Sequence, residues 1–187
     1  MYGYELIQEL ADLLTGDEVL VSTNGNISRQ VYHYLPRPQI YLRGSMGLGI
    51  PVGVGVALSR PEKQVLVITG DGNLLMGLSS LSTTSFIGPK NLRILILDNN
   101  EYATTGHQRT TSGILNYTSL FEGFGIPNLP PIQRDDSVED IRERMQSLLD
   151  AVELCVLPAL VNSDPPSLNN IPWHPEKIAA LQREKRE

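Results

Sequence analysis

The sequence predicts a single α/β domain in which a doubly wound, mainly parallel sheet carries helices on both faces. Two apolar runs support this prediction, Val65-Leu66-Val67-Ile68 and Ile94-Leu95-Ile96-Leu97. Each run is too short for a helix and contains β-branched residues, which is typical of a parallel strand buried on both faces. Helical patterns alternate with short apolar runs along the rest of the chain, and this alternation favours a parallel sheet with helical connections.

In the first half of the chain, glycine and proline residues mark where the predicted helices end. Leucines at helical spacing mark a first amphipathic helix that stops near Gly16, and a short helix ends before Pro36. The helix that begins near Leu48 contains Pro51 in its first turn, where a missing N–H does no harm. In this half we expect strands at 19–21, 40–42 and 65–68, and helices at 27–34, 48–58 and 73–86.

The second half continues the alternation. Asp136 or Ser137 is a plausible N-cap for a clear amphipathic helix, and Asp164-Pro165-Pro166 ends the last strand. We expect strands at 94–97 and 156–161, a loop at 125–131, and helices at 117–124 and 138–149, with a charged C-terminal helix at about 175–187. No linker or repeat divides the chain, so residues 1–187 are interpreted as one domain.

Composition excludes several classes of function. The 187 residues carry a net charge of −6 without a Lys/Arg cluster, which argues against nucleic acid as a partner. No apolar run is long enough to span a bilayer, and the acidic N-terminal helix does not resemble a signal peptide. The one cysteine, Cys155, lies in an apolar run and is most simply a buried thiol. This excludes an internal disulfide and predicts a cytoplasmic location.

The most informative polar residues directly follow the two apolar runs. Asp71 lies in Gly70-Asp71-Gly72, and Asn99 lies in Asp98-Asn99-Asn100. Ligands collect at the carboxyl ends of strands in doubly wound sheets, and the two glycines allow a sharp turn close to an anion. A carboxylate, an amide and a backbone carbonyl suit Mg²⁺ that holds a diphosphate. The alternative interpretation is a simple turn and a simple strand end.

Two further segments have both a functional and a structural interpretation. Arg43-Gly44-Ser45-Met46-Gly47 begins a glycine-rich stretch that does not match the dinucleotide fingerprint. Its small residues are explained by close packing of a helix on the sheet, but a bulky Met46 between glycines is not. The second segment, Ser22-Thr23-Asn24-Gly25-Asn26, is typical of a phosphate-side loop before a helix, and a plain turn and cap would look the same.

Taken together, these segments resemble the diphosphate-binding (PP) domain of thiamine-diphosphate-dependent decarboxylases. The resemblance is carried by residues 44–48, 70–72 and 98–108 and runs from about Leu20 to about Gly125. Within this group the chain resembles the sulfopyruvate decarboxylase β subunits and the carboxyl half of phosphonopyruvate decarboxylases. The general cofactor motif is specific, and the assignment to the sulfopyruvate group is less so.

The resemblance implies the roles of individual residues. Mg²⁺ would be bound by Asp71, Asn99 and the backbone carbonyl of Glu101, and Tyr102 would occupy the aromatic position that follows. The resemblance also implies two sets of cofactor contacts. The diphosphate would be contacted by Gly25, Asn26, Gly70, Gly72 and Asn73. The pyrimidine would be contacted by Gly44, Ser45 and Met46. Met46 would be the wedge that keeps thiamine diphosphate bent.

The chain departs from the family pattern in two ways. Thr105 stands near the position where pyruvate decarboxylases carry a proton-handling Glu, so His107 becomes a candidate, although a surface histidine is the simpler interpretation. The Glu that activates the cofactor belongs in this family to a separate pyrimidine-binding (PYR) domain, and one domain has no room for it. The resemblance therefore implies a PYR-domain α subunit as partner, a small 2-oxoacid as substrate, and a heterotetramer or a multiple of it.

Two other functions are compatible with the same motifs. The chain could be the small subunit of a 2-oxoacid oxidoreductase or an acetolactate synthase type of enzyme, although one cysteine argues against an iron–sulfur cluster within it. It could also be a non-catalytic scaffold derived from a cofactor domain. The intact Asp71 and Asn99 argue against the scaffold.

Overall fold

The computed structural model describes residues 1–37, 39–163 and 167–184. Five strands form a parallel sheet in the spatial order β2-β1-β3-β4-β7, and β5 and β6 form a separate antiparallel pair. The strands are β1 (Val19–Ser22), β2 (Ile40–Tyr41), β3 (Val65–Gly70), β4 (Leu92–Asp98), β5 (Glu101–Tyr102), β6 (Gln108–Arg109) and β7 (Cys155–Leu160). The predicted α/β class with a parallel sheet is confirmed.

Helices connect the strands of the main sheet. They are α1 (Gly3–Leu13), α2 (Asn26–Tyr34), α3 (Gly49–Ser59), α4 (Asp71–Met76), α5 (Ser80–Ile87), α6 (Tyr117–Gly123), α7 (Val138–Asp150) and α8 (Pro175–Glu184), with a 3₁₀ turn at Ser112–Ile114. Ser137 caps α7 by accepting a hydrogen bond from the Asp140 N–H, as the sequence predicts. No helix within the described ranges is long and apolar enough to cross a membrane.

The strand order creates a point where the chain reverses direction across the sheet. From β1 the chain passes through α2 to β2 on one side, whereas β3 pairs with β1 on the other side. The connections on the two sides diverge from the carboxyl ends of β1 and β3, and this opens a crevice there. Such a crevice is the usual ligand site in sheets of this kind.

Two hydrophobic cores lie on opposite faces of the sheet. Within β3, Leu66 and Ile68 pack on the face of α1, α2 and α7, while Val65 and Val67 pack on the face of α3, α5 and α6. This alternation follows from the two-residue period of a strand. It explains why the runs that were identified as strands are apolar throughout.

The prediction of one helix over 73–86 is wrong in its extent. The segment forms α4 and α5, which are separated at Gly77, and α4 begins at Asp71. The break lies where the chain meets another loop, since a Cβ on Gly77 would be 2.1 Å from the carbonyl oxygen of Gly47. Leu74 and Leu81 are both buried, which is why the apolar pattern continues across the break.

Other details also differ from the expectation. The β5–β6 hairpin was not predicted, because its two-residue strands are too short to give a periodic pattern. In α8, Ile178 is buried in the core that also contains Leu66 and Ile68. This helix is described as far as Glu184. The expected strand terminator Asp164-Pro165-Pro166 lies outside the described residues. Cys155 is a free, buried thiol, as predicted.

Candidate functional site

A cavity of about 170 Å³ opens at the carboxyl ends of the central strands. Its walls come from four separate segments: residues 24–27 after β1, Met46 before α3, residues 70–73 after β3, and residues 99 and 101–105 after β4. The end of β7 contributes Val161 and Asn162. Each of the four segments that were singled out in the sequence therefore contributes to one cavity.

Asp71 is a buried carboxylate at the edge of this cavity, with 2% of its surface exposed. Its Oδ2 accepts a hydrogen bond from Thr110 Oγ1 and lies 3.1 Å from Ser112 Oγ. The pKa of Asp71 is raised to about 6, chiefly by burial and also by the nearby negative charge of Asp98. The hydrogen bonds to the carboxylate lower the pKa and offset part of this increase. A bound cation would remove this penalty, so the carboxylate is suited to a metal ion.

Asp98 organises the turn that follows β4. Its Oδ1 accepts hydrogen bonds from the Asn100 backbone N–H at 2.8 Å, from Asn100 Nδ2 and from Ser112 Oγ, and its Oδ2 accepts one from the Tyr117 hydroxyl at 2.7 Å. Burial and the charge of Asp98 both raise the pKa of Tyr117. The buried side chain of Asp98 thus stabilises the turn through hydrogen bonds, while Asn99 lines the cavity.

Asn99 and Glu101 are placed differently within that turn. Asn99 Oδ1 accepts a hydrogen bond from the Glu101 N–H at 3.2 Å, and both residues line the cavity. The Glu101 carboxylate accepts a hydrogen bond from Ser163 Oγ at 2.6 Å and lies 2.8 Å from His107 Nδ1. These two contacts lower the pKa of Glu101. The Glu101 carboxylate is therefore occupied by Ser163 and His107. Its backbone carbonyl oxygen is the group that could bind a cation.

The floor of the cavity has no room for a side chain at Gly72. A Cβ there would lie 2.5 Å from Tyr102 Cε1 and 3.0 Å from the methyl carbon of Met46. Asn73 Oδ1 accepts a hydrogen bond from the Gly47 N–H, which attaches the turn of Met46 to the start of α4. This attachment leaves the Asn73 amide NH₂ as a donor toward the cavity.

The loop after β1 supplies a second polar wall. Gly25, Asn26 and Ile27 line the cavity, and Gly25 has a φ of 84°, a conformation that glycine adopts without strain. Beside them, the side-chain oxygen of Asn24 is buried and has no hydrogen-bond partner within the described residues. An orphaned polar atom of this kind indicates that a ligand or water completes the wall.

Not every predicted site residue lies in the cavity. Gly44 and Ser45 are exposed and do not line it, and Ser45 has a φ of 57°. His107 is exposed on the β5–β6 turn and also lies outside the lining. Thr110 and Ser112 were not predicted as site residues, and Asn24 was named only as part of the loop at 22–26. A hydroxyl-rich stretch at 110–112 was the available signal, but nothing in the sequence connects it to Asp71.

The residues present fit a diphosphate held through a hard cation. Asp71, Asn99 and the Glu101 carbonyl offer one carboxylate, one amide and one carbonyl oxygen, which is the set that Mg²⁺ accepts together with phosphate and water. Within the described part of the chain, no three His, Cys, Asp or Glu side chains form a metal-binding cluster. A site of this composition needs the ligand's own oxygens to complete the metal coordination.

Comparisons with known proteins agree with this geometry. Residues 23–157 match the family described as "Thiamine pyrophosphate enzyme, C-terminal TPP binding domain". The sulfopyruvate decarboxylase subunit beta of Methanocaldococcus jannaschii is 34% identical over 147 residues, which are 78% of this chain and 76% of that protein. The phosphonopyruvate decarboxylase of Streptomyces hygroscopicus is 35% identical over 167 residues, which are 89% of this chain but only 38% of that protein.

A solved structure shares the fold at low identity. The benzoylformate decarboxylase of Polynucleobacter necessarius superposes with a TM-score of 0.73 at 14% sequence identity, over 91% of this chain and 34% of that one. A likeness at this level of identity concerns the fold alone. This chain thus corresponds to about one third of that larger protein.

Proposed function

Since the chain belongs to the thiamine pyrophosphate enzymes and corresponds to their C-terminal TPP-binding domain, we propose that it is the cofactor-binding subunit of a heteromeric 2-oxoacid decarboxylase. The two relatives that match over 78% and 89% of this chain are named as a sulfopyruvate decarboxylase subunit and a phosphonopyruvate decarboxylase. We extend this class of substrate, a small 2-oxoacid with a second acidic group, to the present protein.

The observation that carries the proposal is the meeting of Asp71, Asn99 and Gly72 at one cavity. Their two motifs follow β3 and β4, which are paired in parallel as far as Gly70 and Leu97, so both motifs emerge at the same edge of the sheet. Asp71, Asn99 and the Glu101 carbonyl would hold Mg²⁺. Backbone N–H groups of Gly72 and Gly25, with the amides of Asn73 and Asn26, would hold the diphosphate.

When bound, thiamine diphosphate supplies a carbon nucleophile and an electron sink for decarboxylation. This chain's part is to hold and orient. Met46, whose methyl carbon lies 3.0 Å from the position of a Cβ on Gly72, is the side chain that would support the bent cofactor. The family resemblance assigns the pyrimidine contacts to Gly44 and Ser45 beside it. Tyr102 also lies next to Gly72 and forms part of the same cavity wall. These contacts would fix the position of the cofactor.

A partner chain is part of the proposal. A cavity of about 170 Å³ is smaller than the roughly 300–1,000 Å³ of ligand pockets that enclose their ligand, which supports a site with further walls from another chain. Relatives of similar length are named as subunits beta. We infer that a PYR-domain α subunit brings the activating carboxylate, in a heterotetramer or a multiple of it.

The test is CO₂ release from sulfopyruvate, phosphonopyruvate and pyruvate, with Mg²⁺ and thiamine diphosphate. We expect no turnover by this chain alone and turnover after addition of the PYR-domain chain. Robust decarboxylation by the lone chain would contradict the partner requirement. Failure of the pair on all three substrates, despite cofactor binding, would contradict the substrate class.

A further inference from the structure

We propose that Thr110 and Ser112 are positioning residues that orient the Asp71 carboxylate toward the metal ion and connect it to Asp98. This inference rests on the proposed function, because it assigns a role relative to the same Mg²⁺ site. Neither hydroxyl lines the cofactor cavity, so the two residues act through Asp71. The assignment gives a purpose to the hydroxyl-rich segment that follows β6.

The hydrogen bonds at Asp71 are asymmetric. Thr110 Oγ1 and Ser112 Oγ both contact Oδ2, and the two hydroxyl oxygens lie 2.9 Å apart. Within the described residues, no side chain donates to Oδ1. The hydrogen bond from Thr110 to Oδ2, together with a backbone hydrogen bond from Gly72, fixes the orientation of the carboxylate. The side-chain contacts leave Oδ1 for a cation.

The number of available protons indicates which carboxylate each of the Thr110 and Ser112 hydroxyls donates to. Ser112 Oγ lies 3.1 Å from Asp71 Oδ2 and 2.9 Å from Asp98 Oδ1, but it has one proton to donate. Thr110 has one proton as well, and it points to Asp71. One hydroxyl for each carboxylate satisfies both acids. Thr110 is therefore the principal donor to Asp71, and Ser112 the principal donor to Asp98.

Asp98 then acts as a fixed negative charge behind the metal site. Its two oxygens accept hydrogen bonds from Asn100, Ser112 and Tyr117 and are held in place by them. A buried carboxylate separated from Asp71 by one hydroxyl attracts a divalent cation without touching it. Outer partners of this kind commonly change metal affinity by about 10–100-fold when they are removed.

The same segment joins the two halves of the metal motif. The Thr110 N–H donates to the Asn100 carbonyl at 3.0 Å, and Gly113 approaches Asn100 so closely that a Cβ on Gly113 would lie 2.8 Å from Oδ1 of that residue. Through these contacts the turn of Asn99 and the carboxylate of Asp71 share one support. A change at Thr110 should therefore be felt at both metal ligands.

The test compares three variants of the full chain, with Mn²⁺ and thiamine diphosphate as probes. Thr110→Val keeps the shape of the side chain and removes the hydroxyl, while Thr110→Ser keeps the hydroxyl. Thr84→Val is the matched control, because Thr84 is also buried and donates its hydroxyl to the Ser80 carbonyl, away from the cavity. Affinity is measured by calorimetry and by the Mn²⁺ paramagnetic resonance signal, and melting in chelator reports folding.

We expect Thr110→Val to weaken Mn²⁺-dependent binding about tenfold or more, and we expect Thr110→Ser and Thr84→Val to bind within about twofold of the parent. If Thr110→Val gives no cooperative melting transition, Ser112→Ala takes its place with the same expectation. Parent-like affinity in the folded hydroxyl-free variant would overturn the inference. A parent chain that binds no Mn²⁺ and thiamine diphosphate at all would instead contradict the proposed function.

Discussion

The backbone of Gly77 lies directly against that of Gly47. A Cβ on Gly77 would be 2.1 Å from the Gly47 carbonyl oxygen and 3.0 Å from its carbonyl carbon. Gly47 itself has a φ of 87° and is held by Asn73. The turn that carries Met46 is therefore supported directly by the end of α4.

Gly77→Ala should destabilise the protein by about 2 kcal/mol or more, because the added methyl group meets backbone that cannot move aside. Gly55→Ala is the matched control: a Cβ there has no neighbour within 4 Å, and alanine in a helix favours folding by about 0.5–1 kcal/mol. Urea unfolding of both variants checks this. Equal free energies of unfolding for Gly77→Ala and the parent would show that the two turns can separate.

Gly72→Ala should fold but bind thiamine diphosphate poorly. The added Cβ meets the ring of Tyr102 and the methyl carbon of Met46, which are ends of side chains and can move, unlike backbone. Their displacement would fill the cavity floor. Calorimetry with Mg²⁺ should show a loss of affinity of at least about tenfold, or about 1.4 kcal/mol, with a melting temperature close to that of the parent. Unchanged affinity would place the diphosphate elsewhere.

Asp71→Ala and Asn99→Ala should each abolish Mg²⁺-dependent binding of thiamine diphosphate while the fold persists. Asp71 carries charge rather than packing, and its removal relieves repulsion with Asp98 in the metal-free protein. The parent should bind weakly and only without chelator, because it supplies only part of the walls. Asp17→Ala, an exposed carboxylate paired with Lys63, is the control. Parent-like binding by both site variants would rule out this metal site.

The pKa of Asp71 predicts how stability depends on pH. Its pKa is about 6 in the folded protein against an ordinary value of 3.8, so the folded state keeps the proton longer than the unfolded state does. In chelator, the free energy of unfolding should fall as pH rises from about 4 to about 6, by roughly 2–3 kcal/mol. Asp71→Asn should remove this fall. Parallel curves for the two proteins would contradict the assignment.

Metal affinity should change in the opposite sense over the same range. A cation binds the ionised carboxylate, so Mn²⁺ affinity in the presence of thiamine diphosphate should rise between about pH 4 and 6 and level off above it. A flat affinity profile over this range would indicate that Asp71 is already ionised in the folded chain.

The parts of the fold that sequence predicted best are those buried on both sides. The strand runs at 65–68 and 94–97 are apolar because each face of the sheet carries its own core, and the motifs at Asp71 and Asn99 follow where those runs end. The break at Gly77 was not predicted because it depends on a contact with Gly47, far away in the sequence. The pattern of buried leucines crosses that break unchanged.

The supporting residues of the site could not be predicted for a related reason. Thr110 and Ser112 reach Asp71 only because the β5–β6 hairpin turns the chain back beneath the cavity, and hairpin strands of two residues leave no periodic signal. For Gly49 and Gly53, the structure supports the packing interpretation of the glycine-rich stretch. A Cβ on Gly49 would overlap Thr23, and a Cβ on Gly53 would overlap Val67.

The position of the cavity has a consequence for how binding and unfolding are coupled. Its principal walls continue directly from β1, β3 and β4, which are the three central strands of the sheet. We expect these strands to exchange their amide protons only when the whole domain opens, so that the floor of the site unfolds together with the sheet. Occupancy by a ligand should therefore slow exchange throughout the central sheet by the same factor, instead of protecting only the loops that touch it.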